Sequence, residues 1–240
     1  MNQPLLRFLA TKNYKNLSLD KEANLTNLNI FIGSNGSGKS NFINCLKFLK
    51  DSLTNIPDES RGIGSFENSV TQIGGNKILD GTMASPAVVR LAYCFWQISQ
   101  TSLSGKDSGI LDLKIYVDKN TPRVSIAQEF LYSGEDLDES AVSPPFYYYQ
   151  FHNREVGKGV VSVYKTSLQN AETHFKPLEN INTNFLGLSS IPRLLEDSEY
   201  PPESTPVYRI RRDLVEFFSK WQFYNANNIK ELVMEERVKA

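Results

Sequence analysis

The apolar positions along the chain begin as two short runs, Leu5 to Leu9 and Leu17 to Leu19, on either side of the polar turn Thr11-Lys12-Asn13, which predicts a hairpin. Leu28-Asn29-Ile30-Phe31-Ile32 has the β-branched and aromatic bulk of a buried strand, and it runs directly into a glycine-rich stretch, Gly33 to Ser40. Behind that stretch, Phe42, Ile43, Leu46, Phe48, Leu49 and Leu53 recur at helical spacing. The segment Asn55 to Gly81 is rich in Gly, Asn, Asp and Ser and reads as connection, with one short helix over Phe66 to Ile73. From Ala87 to Lys165 the pattern changes to strands: Val88 to Ile98, Leu111 to Val117, Val124 to Tyr132, Phe146 to Phe151 and Val160 to Tyr164. Turn clusters at Ser104 to Gly109, Lys119 to Pro122 and Asn153 to Gly159 separate them, so an antiparallel meander is expected. A polar, proline-bearing stretch follows, and then helical patterning over Val207 to Tyr224 and Ile229 to Val238.

These elements divide the chain into a core with an N-terminal hairpin (1–86), an antiparallel β portion of the same lobe (87–165), and a polar connection with C-terminal helices (166–240). At 240 residues with 40% hydrophobic and 11% aromatic content, the chain can bury a full core. Its 26 Lys and Arg against 27 Asp and Glu give a net charge of −1, so there is no overall basic excess of the kind that marks a nucleic-acid binder. Cys45 and Cys94 are too few for a disulfide framework, and each lies in an apolar stretch that suits a reduced core thiol. The N-terminus Met1-Asn2-Gln3-Pro4 lacks a secretory pattern, and no apolar run approaches the roughly 20 residues that cross a bilayer. A cytoplasmic location and no membrane partner are the expectation.

One motif carries chemistry. Gly33-x4-Gly38-Lys39-Ser40 has the Walker A spacing, in which small residues let successive backbone N–H groups curl around a phosphate. Lys39 then reaches the β- and γ-phosphates and the Ser40 hydroxyl binds Mg²⁺, while the helix that opens here points its positive end at the anion. The expected ATP-phosphate contacts are Gly33, Ser34, Asn35, Gly36, Ser37, Gly38, Lys39, Ser40 and Asn41, with ATP and Mg²⁺ as ligands and Ser40 as the metal contact. A ligand-free glycine turn is the alternative, and the strand before and helix after the loop weigh against it.

The wording of the loop, Ile32 through Asn44 with Asn35-Gly36-Ser37-Gly38-Lys39-Ser40-Asn41 at its centre, resembles the RecF, SMC and OLD-like ATPases with an ABC-type head. Upstream, Thr11-Lys12-Asn13-Tyr14-Lys15-Asn16-Leu17 is similar to the segment preceding the P-loop strand in those families. Ile126 to Leu131 and Trp221 to Asn225 are weaker matches to bacterial AAA-type proteins of the RecF/OLD group. The resemblance implies an α/β P-loop NTPase fold, lobe one of an ABC-type head, with a large antiparallel β-meander and C-terminal helices. It also implies nucleotide contacts from Lys15, Asn16 and Arg61. In such heads the signature, Walker B and switch histidine belong to lobe two, and hydrolysis needs both lobes and a dimer. A homodimer or a partner carrying the complementary lobe is therefore implied, with DNA and a nuclease as further partners by the same analogy.

The sequence offers decoys for the elements of lobe two. Leu103-Ser104-Gly105-Lys106 is similar to a signature, but Gly109 to Tyr116 alternates like a strand, whereas a signature serine must open a helix. Leu194-Leu195-Glu196-Asp197 follows Pro192 and Arg193, and Leu232 to Glu236 lies in a helical pattern, so neither reads as a Walker B strand. Glu129 sits in a strand without a neighbouring aspartate and is kept as an outside catalytic candidate. His152 and His174 have no ligand-spaced cysteine or carboxylate pair. The aromatics of Phe146 to Phe151 and the group Arg209, Arg211 and Arg212 read as a sheet strand and a helix coat before they read as nucleic-acid contacts. Asn76-Lys77-Ile78-Leu79-Asp80 has one residue too many for a guanine motif, which disfavours a GTPase. Two readings remain: an ATP-driven dimerisation switch in DNA maintenance or mobile-element (phage) defence, and a short nucleotide-binding regulatory module without turnover.

Overall fold

The strand patterns assemble into one antiparallel sheet in the structure, a computed structural model that describes residues 5–26, 29–54, 66–96, 108–120, 124–133, 146–155, 158–163, 178–182, 188 and 206–223. Its strands are β1 (Leu5–Tyr14), β2 (Leu17–Asn24), β3 (Ala87–Trp96), β4 (Ser108–Val117), β5 (Val124–Ser133), β6 (Phe146–Glu155), β7 (Lys158–Val163) and β8 (Leu178–Asn182). The order across the sheet is β2-β1-β3-β4-β5-β6-β7-β8, with every neighbouring pair antiparallel. The meander expected over residues 87–165 is therefore present and extends by one more strand. β8 escaped the sequence reading because Leu178-Glu179-Asn180-Ile181-Asn182 has only two apolar residues and no alternation. It becomes a strand by pairing Lys158 with Asn182 and Val161 with Leu178.

One face of the sheet carries the main core. Val89, Leu91, Tyr93 and Phe95 of β3 and Leu111, Leu113, Ile115 and Val117 of β4 alternate into it, as half-buried strands require. A bulge between Leu6 and Phe8 breaks the alternation on β1, so Leu6 and Leu9 join the main core while Phe8 turns to the opposite face beside Cys94 and Ile110. On that opposite face Arg90 donates from Nη2 to Asp112 Oδ2 at 2.7 Å across β3 and β4.

Among the described residues, the helices α1 (Lys39–Thr54), α2 (Phe66–Ile73) and α3 (Pro206–Ser219) cover the core face. The stripe Phe42, Cys45, Leu46, Phe48, Leu49, Ser52 and Leu53 is buried along α1, and each fully buried Leu or Phe contributes roughly 1.5–3 kcal/mol. Phe48 meets Phe66 of α2 edge-on, with ring centroids 5.9 Å apart. Val207, Ile210, Leu214 and Phe218 form the buried stripe of α3, and Phe218 packs against Phe95 of the sheet at 5.9 Å. Lys50 of α1 donates to the Trp221 carbonyl at 2.6 Å, tying the end of α3 to the loop-bearing helix.

Two expectations are corrected. The hairpin turn is at Lys15-Asn16, because Thr11, Lys12 and Asn13 stay in β1, where Thr11 and Lys12 pair with β3. The Thr11 hydroxyl donates to the Leu17 carbonyl at 2.8 Å, and φ is positive at Asn13 (60°) and again at Lys15 (48°) in the turn itself. Of the strand expected over Leu28–Ile32, the described residues 29–32 do not form one. Residues 29–32 pair with no strand of the sheet among the described residues, and Ile30 and Ile32 stand 76% and 92% exposed. A strand needs a hydrogen-bonding neighbour, and none of the described strands runs beside this segment. Phe31 alone finds apolar cover, 4.6 Å from Phe42 of α1. The second C-terminal helix, over Ile229 to Val238, lies outside the described residues.

Candidate nucleotide site

The glycine-rich segment forms a loop between the uncovered residues 29–32 and the first turn of α1. Gly36 and Gly38 have φ of 82° and 90°, the left-handed region where a side chain is strained, and a Cβ on Gly38 would also press on Leu17. Ser37 N–H donates to the Ser34 carbonyl at 3.2 Å, closing the turn. The helix starts at Lys39, so the N–H groups of Lys39, Ser40 and Asn41 have no acceptor one turn back; Phe42 N–H is the first to find one, the Gly38 carbonyl at 2.9 Å. No acidic residue occupies this first turn to compete for those donors or for the helix dipole.

Lys39 folds its ammonium onto the loop. Nζ donates to the carbonyls of Gly33 at 2.6 Å and Ser34 at 2.7 Å and to the Ser37 hydroxyl at 3.1 Å. An anion entering the loop has to exchange for these three exposed contacts, and it brings charge that the carbonyls lack. Ser40 is exposed at the second helical position. Asn41 is tied sideways: its amide donates to Asn16 Oδ1 at 2.6 Å, while the Asn16 amide donates to the Gly36 carbonyl. The β1–β2 turn is thereby latched to the loop. Lys15, beside Asn16, is fixed by its N–H bonding to the Ile78 carbonyl at 2.7 Å, and partial burial lowers its ammonium pKa. Arg61 lies outside the described residues.

The loop helix is gripped from below by the sheet. The Tyr93 hydroxyl donates to the Cys45 carbonyl at 2.9 Å, and Tyr14, Cys45 and Tyr93 are all buried together. Burial pushes the Cys45 thiol up to about 12 from an ordinary 9.0, and it raises both tyrosines as well. The unfolded chain loses the Cys45 proton near pH 9 while the folded chain keeps it, so this stabilisation is full below pH 9 and is lost as pH climbs toward 12. We expect unfolding free energy from urea titrations to fall by roughly 1 kcal/mol per pH unit above pH 9 on this account. Cys45→Ala should make that slope shallower between pH 9 and 10, where tyrosine ionisation in the unfolded chain is still at most half complete.

Other candidates settle into structural places. Glu129 of β5 is fully buried, and its Oε1 accepts the Leu188 N–H at 3.0 Å. His152 lies edge-on to Phe130 at 5.2 Å and 3.4 Å from Gln150 Oε1. Arg212 pairs with Asp213 at 3.0 Å along α3, and burial lowers the Arg211 pKa on the same helix. Among the described residues no group of three or more His, Cys, Asp or Glu could hold a metal ion. Leu103 to Lys106, Leu194 to Asp197, Leu232 to Glu236 and His174 lie outside the described residues. Sequence reasoning missed the Tyr93 clamp and the latch from Asn16 to Gly36. Neither has a spacing signature, since Tyr93 reaches Cys45 across 48 positions and Asn16 reaches Gly36 across 20.

Residues 6–232 match the family described as AAA ATPase domain, nearly the whole chain. The chain belongs to that family. Membership in the AAA ATPase domain family carries nucleotide binding and ATPase function, on a P-loop NTPase fold, and members generally bind ATP with Mg²⁺. No curated protein compared with the chain matches it. No helix among the described residues of this AAA ATPase domain is long and apolar enough to cross a membrane.

Proposed function

We propose that the chain is the ATP- and Mg²⁺-binding lobe of a RecF/OLD-like ATPase, built as lobe one of an ABC-type head. In this reading Gly33 to Asn41 hold the phosphates, Ser40 holds Mg²⁺, and Lys15, Asn16 and Arg61 add nucleotide contacts. The observation that carries it is the loop itself. Two left-handed glycines turn it, three free helix-start amides face out, and Lys39 sits at its centre within 3.1 Å of three loop oxygens. The boundaries at 86 and 165 then divide a loop-bearing core from its β extension and C-terminal helices.

The uncovered segment before the loop supports a partner. Ile30 and Ile32 stand exposed on either side of Phe31, which rests on Phe42, so a partner carrying apolar side chains has an uncovered apolar surface to dock on. The occupant we infer is a strand of the complementary lobe, in a homodimer or a partner subunit, with ATP binding and association coupled as a switch. Work on DNA in repair or in phage defence, beside a nuclease and in the cytoplasm, is the setting this family reading favours. Light scattering with and without Mg-ATP tests the switch. Wild type gains mass on adding Mg-ATP, and the double substitution Ile30→Lys, Ile32→Lys stays at its starting mass while its thermal midpoint barely moves, since both side chains are exposed. An unchanged mass for wild type across micromolar to millimolar Mg-ATP rejects the switch.

A second reading has one observation in its favour. Glu129, the strand-borne acid kept as a catalytic candidate, spends its carboxylate on the Leu188 N–H. A module that binds nucleotide and signals without turnover would need no activating acid there. Lysine-dependent phosphate release by the 240-residue chain alone decides between the two.

A further inference from the structure

The sheet face turned away from the helices carries charge in a pattern that the nucleotide loop does not use. Lys12 of β1 stands opposite Arg90 of β3, and Arg90 stands opposite Lys114 of β4, so three cations sit side by side in register across three strands. Like charges directly opposite one another destabilise a sheet. Asp112, diagonal to Arg90, relieves part of this repulsion by accepting from Nε at 3.0 Å and from Nη2 at 2.7 Å. One carboxylate against three cations still leaves positive charge over, on a chain whose net charge is −1.

This face is closed at one end and open at the other. Phe8, Cys94 and Ile110 are fully buried there, and Ala92 and Asp112 in the next row are buried too. The cationic row comes after them, with Arg90 and Lys114 half-buried and Lys12 exposed. One row further, the cross-strand pair Val88 and Tyr116 stands 40% and 39% exposed. A line of cations therefore borders an uncovered apolar pair, at a cost in stability that the fold itself does not require.

A nucleic-acid backbone would use the cations but not Val88 and Tyr116, and it would bring phosphates toward the Asp112 carboxylate on a chain without basic excess. An acidic protein segment uses both rows. The α carbons of Lys12 and Lys114 are two strand spacings apart, about 9.6 Å. Carboxylates two turns apart on a helix, at i and i+7, are separated by about 10.5 Å, which matches that span. Side chains at i+4 and i+8 lean to one flank of the same line, where apolar ones meet Val88 and Tyr116.

We propose that this face docks an acidic amphipathic helix of a partner protein, its carboxylates on Lys12, Arg90 and Lys114 and its apolar flank on Val88 and Tyr116. No residue of the glycine-rich loop takes part, so the docking surface stands apart from the triphosphate reading. The probe is a synthetic helical peptide of about 18 residues, with glutamate at i and i+7 and leucine at i+4 and i+8, followed by fluorescence anisotropy.

Wild type should bind this peptide at micromolar concentrations, and the same peptide with glutamine for glutamate should bind at least about fivefold more weakly. Lys12→Glu should weaken the acidic peptide by about tenfold, and Tyr116→Ser by about threefold. Lys12→Glu should also raise the thermal midpoint by about 1–4 °C, because its carboxylate faces Arg90 and turns a like-charge pair into an opposite one. A lowered midpoint would show that the row carries no repulsion to explain, and the proposal would lose its basis. Equal peptide affinity in Lys12→Glu and wild type, or no binding at millimolar peptide, overturns it. So does a single-stranded thymidine oligonucleotide that binds more tightly than the peptide and loses more to Lys12→Glu, which would make the row a phosphate-binding surface.

Discussion

Lys39→Ala is expected to lower Mg-ATP affinity by about a hundredfold while leaving the fold intact. Each charge-assisted hydrogen bond from an ammonium to a phosphate oxygen is worth roughly 1.5–3 kcal/mol, and the side chain has donors for two such bonds at the β- and γ-phosphates. Two bonds at the lower figure give about 3 kcal/mol, or a factor of about a hundred. The bonds that the ammonium makes in the empty protein matter far less to the fold. Nζ bonds to Gly33, Ser34 and Ser37 in an exposed loop, where water replaces the ammonium at little cost. Thermal midpoints of variant and wild type without nucleotide should therefore agree within a few degrees, and only wild type should gain stability from Mg-ATP. Equal ligand-induced shifts in both proteins would remove Lys39 from the site.

The same loop shows how far the sequence could be read. Local information fixed what local geometry decides: glycines at 36 and 38 because φ must be positive there, and a helix behind them because Phe42 to Leu53 repeat at its period. The short helix Phe66–Ile73 was legible for the same reason. The meander was legible because its strands are rich in β-branched and aromatic residues and turn clusters mark most of their connections. What failed was the strand before the loop. Leu28 to Ile32 has strand composition, but composition cannot supply a neighbour, and pairing is a non-local property. β8 failed in the opposite sense, as a segment of poor composition recruited by the edge of β7. The cationic row was illegible because its members come from three separated strands, and no spacing rule connects Lys12 with Lys114.

The second large effect concerns the anchor of the loop helix. Phe48 is fully buried, packs edge-on against Phe66 of α2, and stands nine positions after Lys39 on the same helix. Phe48→Ala removes the ring and leaves a void between two helices and the sheet, at an expected cost of about 3–5 kcal/mol. The aromatic pair with Phe66 adds to the upper end of that range. Such a loss is a fifth or more of the usual stability of about 5–15 kcal/mol, so the urea midpoint should fall sharply at nearly constant slope. Phe48→Leu, which keeps most of the volume, should lose less than half as much.

The variant also links packing to the site. The free amides of Lys39, Ser40 and Asn41 point where the helix axis points, and that axis is set by the Phe48 stripe below and the Tyr93 hydroxyl on the Cys45 carbonyl. Mg-ATP at about a hundred times its dissociation constant should return roughly 2.7 kcal/mol to the folded state of Phe48→Ala if the loop still assembles. The double variant Phe48→Ala, Lys39→Ala should recover almost none of it. Recovery in the double variant equal to that in Phe48→Ala would mean that the nucleotide binds away from α1.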